Sequence, residues 1–317
     1  MAQALFKGQQ LGKYEVLDSL GTGGFASVYL ARDQWINKLV ALKIPHYQNY
    51  DLEHLLKEPR LLARLNHPNI VGILSAEKEG ALFFIVMEYV EGESMEELLE
   101  REKILPYKLA CNYILQICEA LECAHSQQVL HRDVRPANIL VSKNGVLKVG
   151  DFGVAALLEK LPYAKTVIGT PPYMAPEHFK GKAVYPSDVY SVGIILYEML
   201  TGTLPYYDVN PAKLEQLILA GKCTPPKLLN KEIPRDLNNI ILRTMAKDIA
   251  NRYASCFELS QALRHFLGSS QEVTEMAAIK NRILNRQQTP SLPCWNCNRP
   301  LPRYTKVCPK CHVKIED

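Results

Sequence analysis

The chain has 317 residues, 47% of them apolar and 22% charged, which excludes disorder as its main state and allows two or three domains. Its formal charge of +4 lies entirely in the tail: eight Lys and Arg against four Asp and Glu occur from residue 269 onward, leaving 29 of each sign before it. No apolar run approaches the roughly 20 residues of a membrane span, and residues 1–10 lack the apolar core of a secretory signal, so a cytoplasmic protein is the expectation.

Residues 14–44 alternate apolar and polar positions in three short runs, Tyr14 to Leu17, Ser27 to Ala31 and Leu39 to Ile44, which predicts an antiparallel meander. From Asp51 to Asn66, Leu52, Leu55, Leu56, Leu61, Leu62 and Leu65 recur at helical spacing. Pro59 inside that pattern either kinks the helix or lies in its first turn. Two further strands, Ile70 to Ser75 and Leu82 to Tyr89, complete a small sheet. Beyond Gly92 the pattern turns helical, with helices predicted over Met95 to Arg101, Pro106 to Ser126, Ser187 to Thr201, Pro211 to Ala220, Leu237 to Met245 and Cys256 to Gly268. Ile139 to Val149 reads as a hairpin turning at Asn144-Gly145. Residues 269–293 are poor in large apolar side chains and end in Thr289-Pro290-Ser291-Leu292-Pro293, a linker composition. The expected architecture is α+β: a β-rich lobe over 14–89, an α-rich lobe over 92–268, the linker, and a small module over 294–317.

Several segments carry chemistry. Gly21-Thr22-Gly23-Gly24-Phe25-Ala26-Ser27-Val28 lies between two predicted strands, where glycines let backbone amides approach phosphate oxygens. Alone it reads equally well as a plain turn. Lys43 in Val40-Ala41-Leu42-Lys43-Ile44 can aim an ammonium from a strand, or snorkel at its edge, and Glu58 on the following helix can hold it. His131-Arg132-Asp133-Val134-Arg135-Pro136-Ala137-Asn138 places a carboxylate and an amide five positions apart, and Asp151-Phe152-Gly153 follows thirteen residues after Asn138.

Taken in order, these segments resemble the eukaryotic-type (Hanks-type) protein serine/threonine kinases, bacterial-like, over residues 14–268. The resemblance implies a bilobal protein-kinase fold that binds ATP and Mg2+ and phosphorylates a protein substrate. By it, Gly21, Thr22, Gly23, Gly24, Phe25, Ala26, Val28 and Ala41 surround the nucleotide, Lys43 paired with Glu58 contacts the α and β phosphates, and Glu88 and Val90 meet the adenine edge beside a gate at Met87. Asp133 is the catalytic carboxylate, Asn138 and Asp151 hold magnesium, and Arg135 stands where lysine is usual. Gly169 to Glu177 looks like the substrate-docking end of an activation segment, with Glu177 paired to Arg252 and Asp188 bracing the catalytic turn. Pro136 and Thr170 follow the serine/threonine pattern, while Arg135 leaves tyrosine specificity open. Arg132 would dock a phosphate on Thr166. The opposing reading is a pseudokinase scaffold that binds nucleotide and recruits partners; the docking segment argues against a small-molecule kinase.

Nine cysteines fall into two groups. Cys111, Cys118, Cys123, Cys223 and Cys256 stand singly in apolar surroundings. Cys294, Cys297, Cys308 and Cys311 form two Cys-X-X-Cys pairs, a spacing for one structural Zn2+ whose sulfurs stand about 3.7 Å apart around it. A redox dithiol or an iron site is the competing reading. Such a segment is too short to fold by burial alone, so metal binding would supply its folding free energy. The pairs resemble a zinc ribbon or a rubredoxin-like knuckle pair. Trp295, Arg299, Arg303, Tyr304 and Lys306 suggest protein docking, and the small basic excess argues against nucleic acid.

Overall fold

The computed structural model describes residues 5–24, 26–46, 48, 52–152 and 171–268, and in the tail 292–297, 300–301, 307–308, 311 and 313–314; the side chains of residues 52, 54, 57, 58, 61, 292 and 300 fall outside that set. Two compact units result, one holding most of residues 1–271 and the other the tail.

The first unit opens with a six-stranded antiparallel sheet built from β1 (Gln10–Leu11), β2 (Tyr14–Thr22), β3 (Ala26–Asp33), β4 (Lys38–Pro45), β5 (Ile73–Glu79) and β6 (Leu82–Glu88), in the order β1-β2-β3-β4-β6-β5. Period-two alternation sorts its side chains onto two faces. Tyr14, Val16, Tyr29, Ala31, Val40, Leu42, Leu82, Phe84 and Val86 form one buried cluster, in which Tyr14 meets Phe84 edge-on at 6.0 Å. The other face of β6 carries Phe83 and Ile85, packed with Leu55 and flanked by Met87. Register places Val28 opposite Lys43, Lys43 opposite Ile85 and Ala41 opposite Met87, so these residues share the second face.

Two expectations need correction. The helix expected over Asp51 to Asn66 is divided into α1 (Leu52–Leu55) and α2 (Lys57–Leu62). Pro59 lies in the first turn of α2: it has no N–H to return to Leu55, and its ring crowds that carbonyl, so the helix restarts at Lys57, with the Leu56 oxygen before it accepting from Arg60. The strand expected at Ile70 to Ser75 begins only at Ile73. Ile70 instead bridges Val149 in parallel, and Val71 N–H donates to Val149 O at 2.9 Å, which commits these residues to the second lobe.

That lobe begins with β7 (Gly92–Ser94), which pairs with β8 (Ile139–Ser142), which in turn pairs with β9 (Leu147–Val149). Only glycine fits at position 92, because a Cβ there would overlap the Val141 carbonyl. Ser94 caps α3 (Met95–Glu102) through a capping box with Glu97. The helices that follow are α4 (Tyr107–Ser126), α5 (Tyr185–Thr201), α6 (Pro211–Ala220), α7 (Pro226–Leu229), α8 (Arg235–Thr244) and α9 (Cys256–Gly268). α5 is buried on nearly every side, as its run from Val189 to Leu200 requires, and packs against α4 and α8. Gly193 permits the approach to α8, since a Cβ would stand 2.8 Å from Thr244 Cγ2. Among the described residues no helix is long and apolar enough to cross a membrane.

In the tail, β10 (Leu292–Pro293) pairs antiparallel with β11 (Pro300–Leu301), and Val307 bridges Lys314. Cys294, Leu301 and Cys308 form its small core.

Candidate active site

The second face of the first sheet looks onto a pocket lined by Lys43, Ile70, Ile85, Met87, Asp151 and Phe152 among others. Lys43 is carried into it by β4, where Val40, Leu42 and Ile44 occupy the opposite face. Its ammonium lies 2.8 Å from Asp151 Oδ1; the lysine side chain is 9% exposed and the aspartate 43%, so the carboxylate still faces open space. The Lys43 charge holds the Asp151 carboxyl below the usual carboxylate range against the opposing effect of burial, with a further Lys43 hydrogen bond and the Arg135 charge adding to it. Met87 borders the pocket from β6. Glu58 lies on α2, and its side chain is outside the described residues.

Asp133 and Asn138 are joined by two bonds: Asn138 Nδ2 donates to Asp133 O at 2.9 Å and to Asp133 Oδ2 at 3.1 Å. Arg135 precedes the short helical turn Pro136–Asn138 that sets this spacing. Gly150 N–H donates to Asn138 O at 2.8 Å, which brings the residue before Asp151 against the same turn.

The backbone here is strained. Arg132 has φ 67° and Asp151 φ 55°, values that side chains rarely adopt. Asp188, fully buried in the first turns of α5, offsets this cost. Its Oδ2 accepts from His131 N–H at 3.0 Å and from His125 Nε2 at 2.7 Å, and its Oδ1 accepts from Arg132 N–H at 2.9 Å. Burial pushes the Asp188 carboxyl upward, but the His125 bond and the surrounding charges outweigh it, and the net shift is downward. His131 Nε2 donates to Gly150 O at 2.9 Å while Nδ1 accepts from Asp133 N–H at 3.3 Å, and its ring lies 4.5 Å from that of Phe152. His131 thus ties the two strained segments together. Sequence reasoning assigned no role to His125 or His131; only three-dimensional proximity exposes one, since His125 and Asp188 are 63 positions apart.

The glycine segment is the turn between β2 and β3. Thr22 pairs with Ser27 and Gly21 with Val28, and Gly23 N–H donates to Ala26 O at 2.9 Å; Phe25 lies outside the described residues. At the other end of the pocket β6 stops at Glu88, and Val90 lies half-buried in the connection to β7. The Glu88 side chain is held by Gly72 N–H at 2.7 Å and Lys148 Nζ at 2.8 Å, a tie that sequence spacing does not reveal.

Segment 171–180 is anchored by Glu177. Arg252 grips it in a fork, Nη1 to Oε1 at 2.7 Å and Nη2 to Oε2 at 3.2 Å, and Ser187 Oγ donates to Oε1 at 2.6 Å. Tyr173 O–H donates to Glu198 Oε2 at 2.8 Å. Gly153 to Thr170, including Thr166, lie outside the described residues.

In the tail, the four Sγ atoms of Cys294, Cys297, Cys308 and Cys311 lie within 4.8 Å of one another, with Cys294–Cys311 and Cys297–Cys308 each at 3.6 Å. That separation is close to the about 3.7 Å of a tetrahedral four-sulfur zinc shell. Cys308 N–H donates to Val313 O at 2.9 Å, closing one knuckle. Backbone N–H groups, first that of Cys297, lower the Cys294 pKa, which favours the thiolate a metal needs. The Trp295 ring is 73% exposed, and Nε1–H donates to Lys314 O at 3.3 Å. Arg299, Arg303, Tyr304 and Lys306 lie outside the described residues.

The protein kinase domain family matches residues 14–267. A probable serine/threonine-protein kinase of Clostridium perfringens is 39% identical over 260 residues, 80% of this chain and 38% of its own length. The serine/threonine-protein kinase PrkC of Bacillus subtilis is 35% identical over 80% of this chain and 40% of its own, and PknB of Mycobacterium tuberculosis 35% over 78% and 42%. The chain therefore spans less than half the length of these relatives. With residues 14–267, four-fifths of its length, matched by that one family, the chain belongs to the protein kinase domain family.

Proposed function

We propose that this chain is an ATP-dependent protein serine/threonine kinase that transfers a γ-phosphoryl group to protein hydroxyls. The observation that carries the reading is the convergence on one cleft of the Lys43–Asp151 ion pair and the Asp133–Asn138 pair, linked through the Gly150–Asn138 bond. The serine/threonine choice is supported by Pro136 and by the names its relatives carry.

Magnesium and ATP, when bound, supply the transferable phosphoryl group and neutralise its charge. Asn138 spends its amide nitrogen on Asp133, which leaves Oδ1 for a cation, and Asp151 offers a carboxylate beside it; hard oxygen donors of this kind suit Mg2+. Lys43, now on Asp151 Oδ1, would exchange that contact for phosphate oxygens. Asp133 would orient the substrate hydroxyl and accept its proton, its own carboxylate held at Oδ2 by Asn138 and its backbone by His131. Glu58 would steady Lys43, Arg135 would reach the γ-phosphate, and Gly21, Thr22, Gly23, Gly24, Phe25, Ala26, Val28, Ala41, Glu88 and Val90 would surround the rest of the nucleotide. Phosphate on Thr166 docking against Arg132 belongs to the same proposal as its control. The four tail cysteines would hold one structural Zn2+, with the exposed Trp295 as a protein-docking element.

The test is transfer of labelled phosphate to a generic basic protein. Asp133→Asn is expected to lower the rate about 10²- to 10⁴-fold while a fluorescent ATP analogue binds within twofold of wild type. A wild type that binds nucleotide without transferring phosphate, or a fully active Asp133→Asn, overturns the reading; the first result supports the scaffold instead.

A further inference from the structure

The side chains of Thr22, a member of the proposed nucleotide cradle, and of Ser27 and His46, which have no part in it, form a hydrogen-bonded run at the glycine turn. Thr22 Oγ1 donates to Ser27 Oγ at 3.4 Å, Ser27 Oγ lies 3.1 Å from His46 Nε2, and His46 Nδ1 lies 3.2 Å from Gly24 O. A carbonyl oxygen only accepts, so Nδ1 carries the proton. Nε2 shares a hydrogen bond with the Ser27 hydroxyl, whose oxygen also accepts from Thr22. The imidazole thus uses both nitrogens, one on Ser27 and one on Gly24.

The run lies on the side of the sheet away from the pocket. Ser27 pairs with Ile44 and shares the face of Tyr29 and Ala31, whereas Val28 and Lys43 occupy the other. His46 follows the last residue of β4, the strand that carries Lys43, and so reaches the turn from behind. Within the turn Gly23 N–H donates to Ala26 O, but among the described residues a Cβ at Gly21 or Gly24 would meet nothing within 4 Å. Glycines leave such a turn conformational freedom that its own hydrogen bond removes only in part, so a tie from outside narrows what it samples.

We infer that His46 is a positioning residue that straps the glycine turn to β4 and thereby sets the height of its amides over the phosphates. The inference rests on the nucleotide-binding reading above. His46 touches neither nucleotide nor reacting atoms; it acts through Gly24 and Ser27.

The test uses the full chain and three readouts: amide hydrogen exchange over residues 21–28 without nucleotide, affinity for a fluorescent ATP analogue, and the split between kcat and KM for ATP. His46→Ala is expected to speed exchange in the turn about fivefold and to raise Kd and KM about three- to tenfold, with kcat within twofold. His46→Asn, which retains an N–H toward Gly24, recovers at least half of the loss. Ser27→Ala produces a smaller change, and adding it to His46→Ala brings no further one. Wild-type exchange and affinity in His46→Ala, or a His46→Asn no better than alanine, overturns the inference. Should His46→Ala fail to fold, unchanged turn exchange in Ser27→Ala overturns it and faster exchange supports it. A wild type that binds no nucleotide sinks the nucleotide reading, while the exchange comparison still judges the strap.

Discussion

Replacing Arg252 by alanine removes a cation whose side chain is 0% exposed from a glutamate that is 10% exposed. Glu177 then keeps the Ser187 hydroxyl but no cation among the partners described above, and the carbonyls of Pro186, Ala246 and Lys247 lose the guanidinium donors now 2.7, 3.0 and 3.3 Å away. Stranding one charge of a buried pair costs about 3–5 kcal/mol. For a domain of this size each kcal/mol lowers Tm by about 2–4 °C, so the expected fall at pH 7 is about 6–20 °C. Arg252→Lys keeps the charge but has no fork to span both carboxylate oxygens, and is expected to recover only part of the loss. The pH dependence has a definite sign. Burial pushes the Glu177 carboxyl upward, yet the Arg252 and Ser187 bonds outweigh it, so its folded pKa lies below the ordinary 4.5. The stability the pair contributes is therefore complete above that ordinary value and is lost as pH falls through the lowered one. Thermal melts followed by circular dichroism at pH 7 and pH 4 should show the gap between wild type and Arg252→Ala narrowing with acid. A variant that melts within 2 °C of wild type at pH 7, or a gap that is the same at both pH values, refutes the reasoning.

Asp188→Asn keeps the side chain's shape but replaces one acceptor of the charge-assisted bonds from His131, Arg132 and His125 by a donor facing N–H groups; a loss of about 2–3 kcal/mol and a matching fall in kcat are expected, and a variant with unchanged melting and rate would contradict the bracing role. Purified chain should carry about one zinc ion as measured by elemental analysis, and Cys308→Ser should abolish it while leaving the melting of residues 14–267 in place; iron in the wild type, or a Cys294–Cys311 disulfide by mass spectrometry, would reject the zinc assignment.

The fold class was legible because the pattern changes period near Gly92, from alternating strands to helices, and the chain obeys that change. Helices α6 and α9 begin and end where their apolar spacing does. Errors arose where partners distant in the chain decide local structure: Ile70 and Val71 are apolar enough for the first sheet, but Val149 claims their backbone groups. β7 escaped notice because its three residues have no strand propensity, and Gly92 is there for close approach rather than for a turn. At the site, Lys43, Asp133, Asn138 and Asp151 were named from spacing and resemblance. The groups that hold them in place, His125, His131 and the Lys148–Glu88 tie, were not, since a buried histidine in a sequence looks the same whether it braces a loop or fills space. The hydrogen bonds of His46 to Ser27 and Gly24 were hidden in the sequence for the same reason.

The two-sided character of β6 has a practical outcome. Leu82, Phe84 and Val86 belong to the lobe's main core, while Ile85 and Met87, interleaved with them, border the pocket. Cavity size and lobe folding are thus assigned to alternate positions of a single strand. Chemists could widen the space behind Met87 to admit bulkier inhibitors, leaving untouched the side chains on which the sheet depends for its existence.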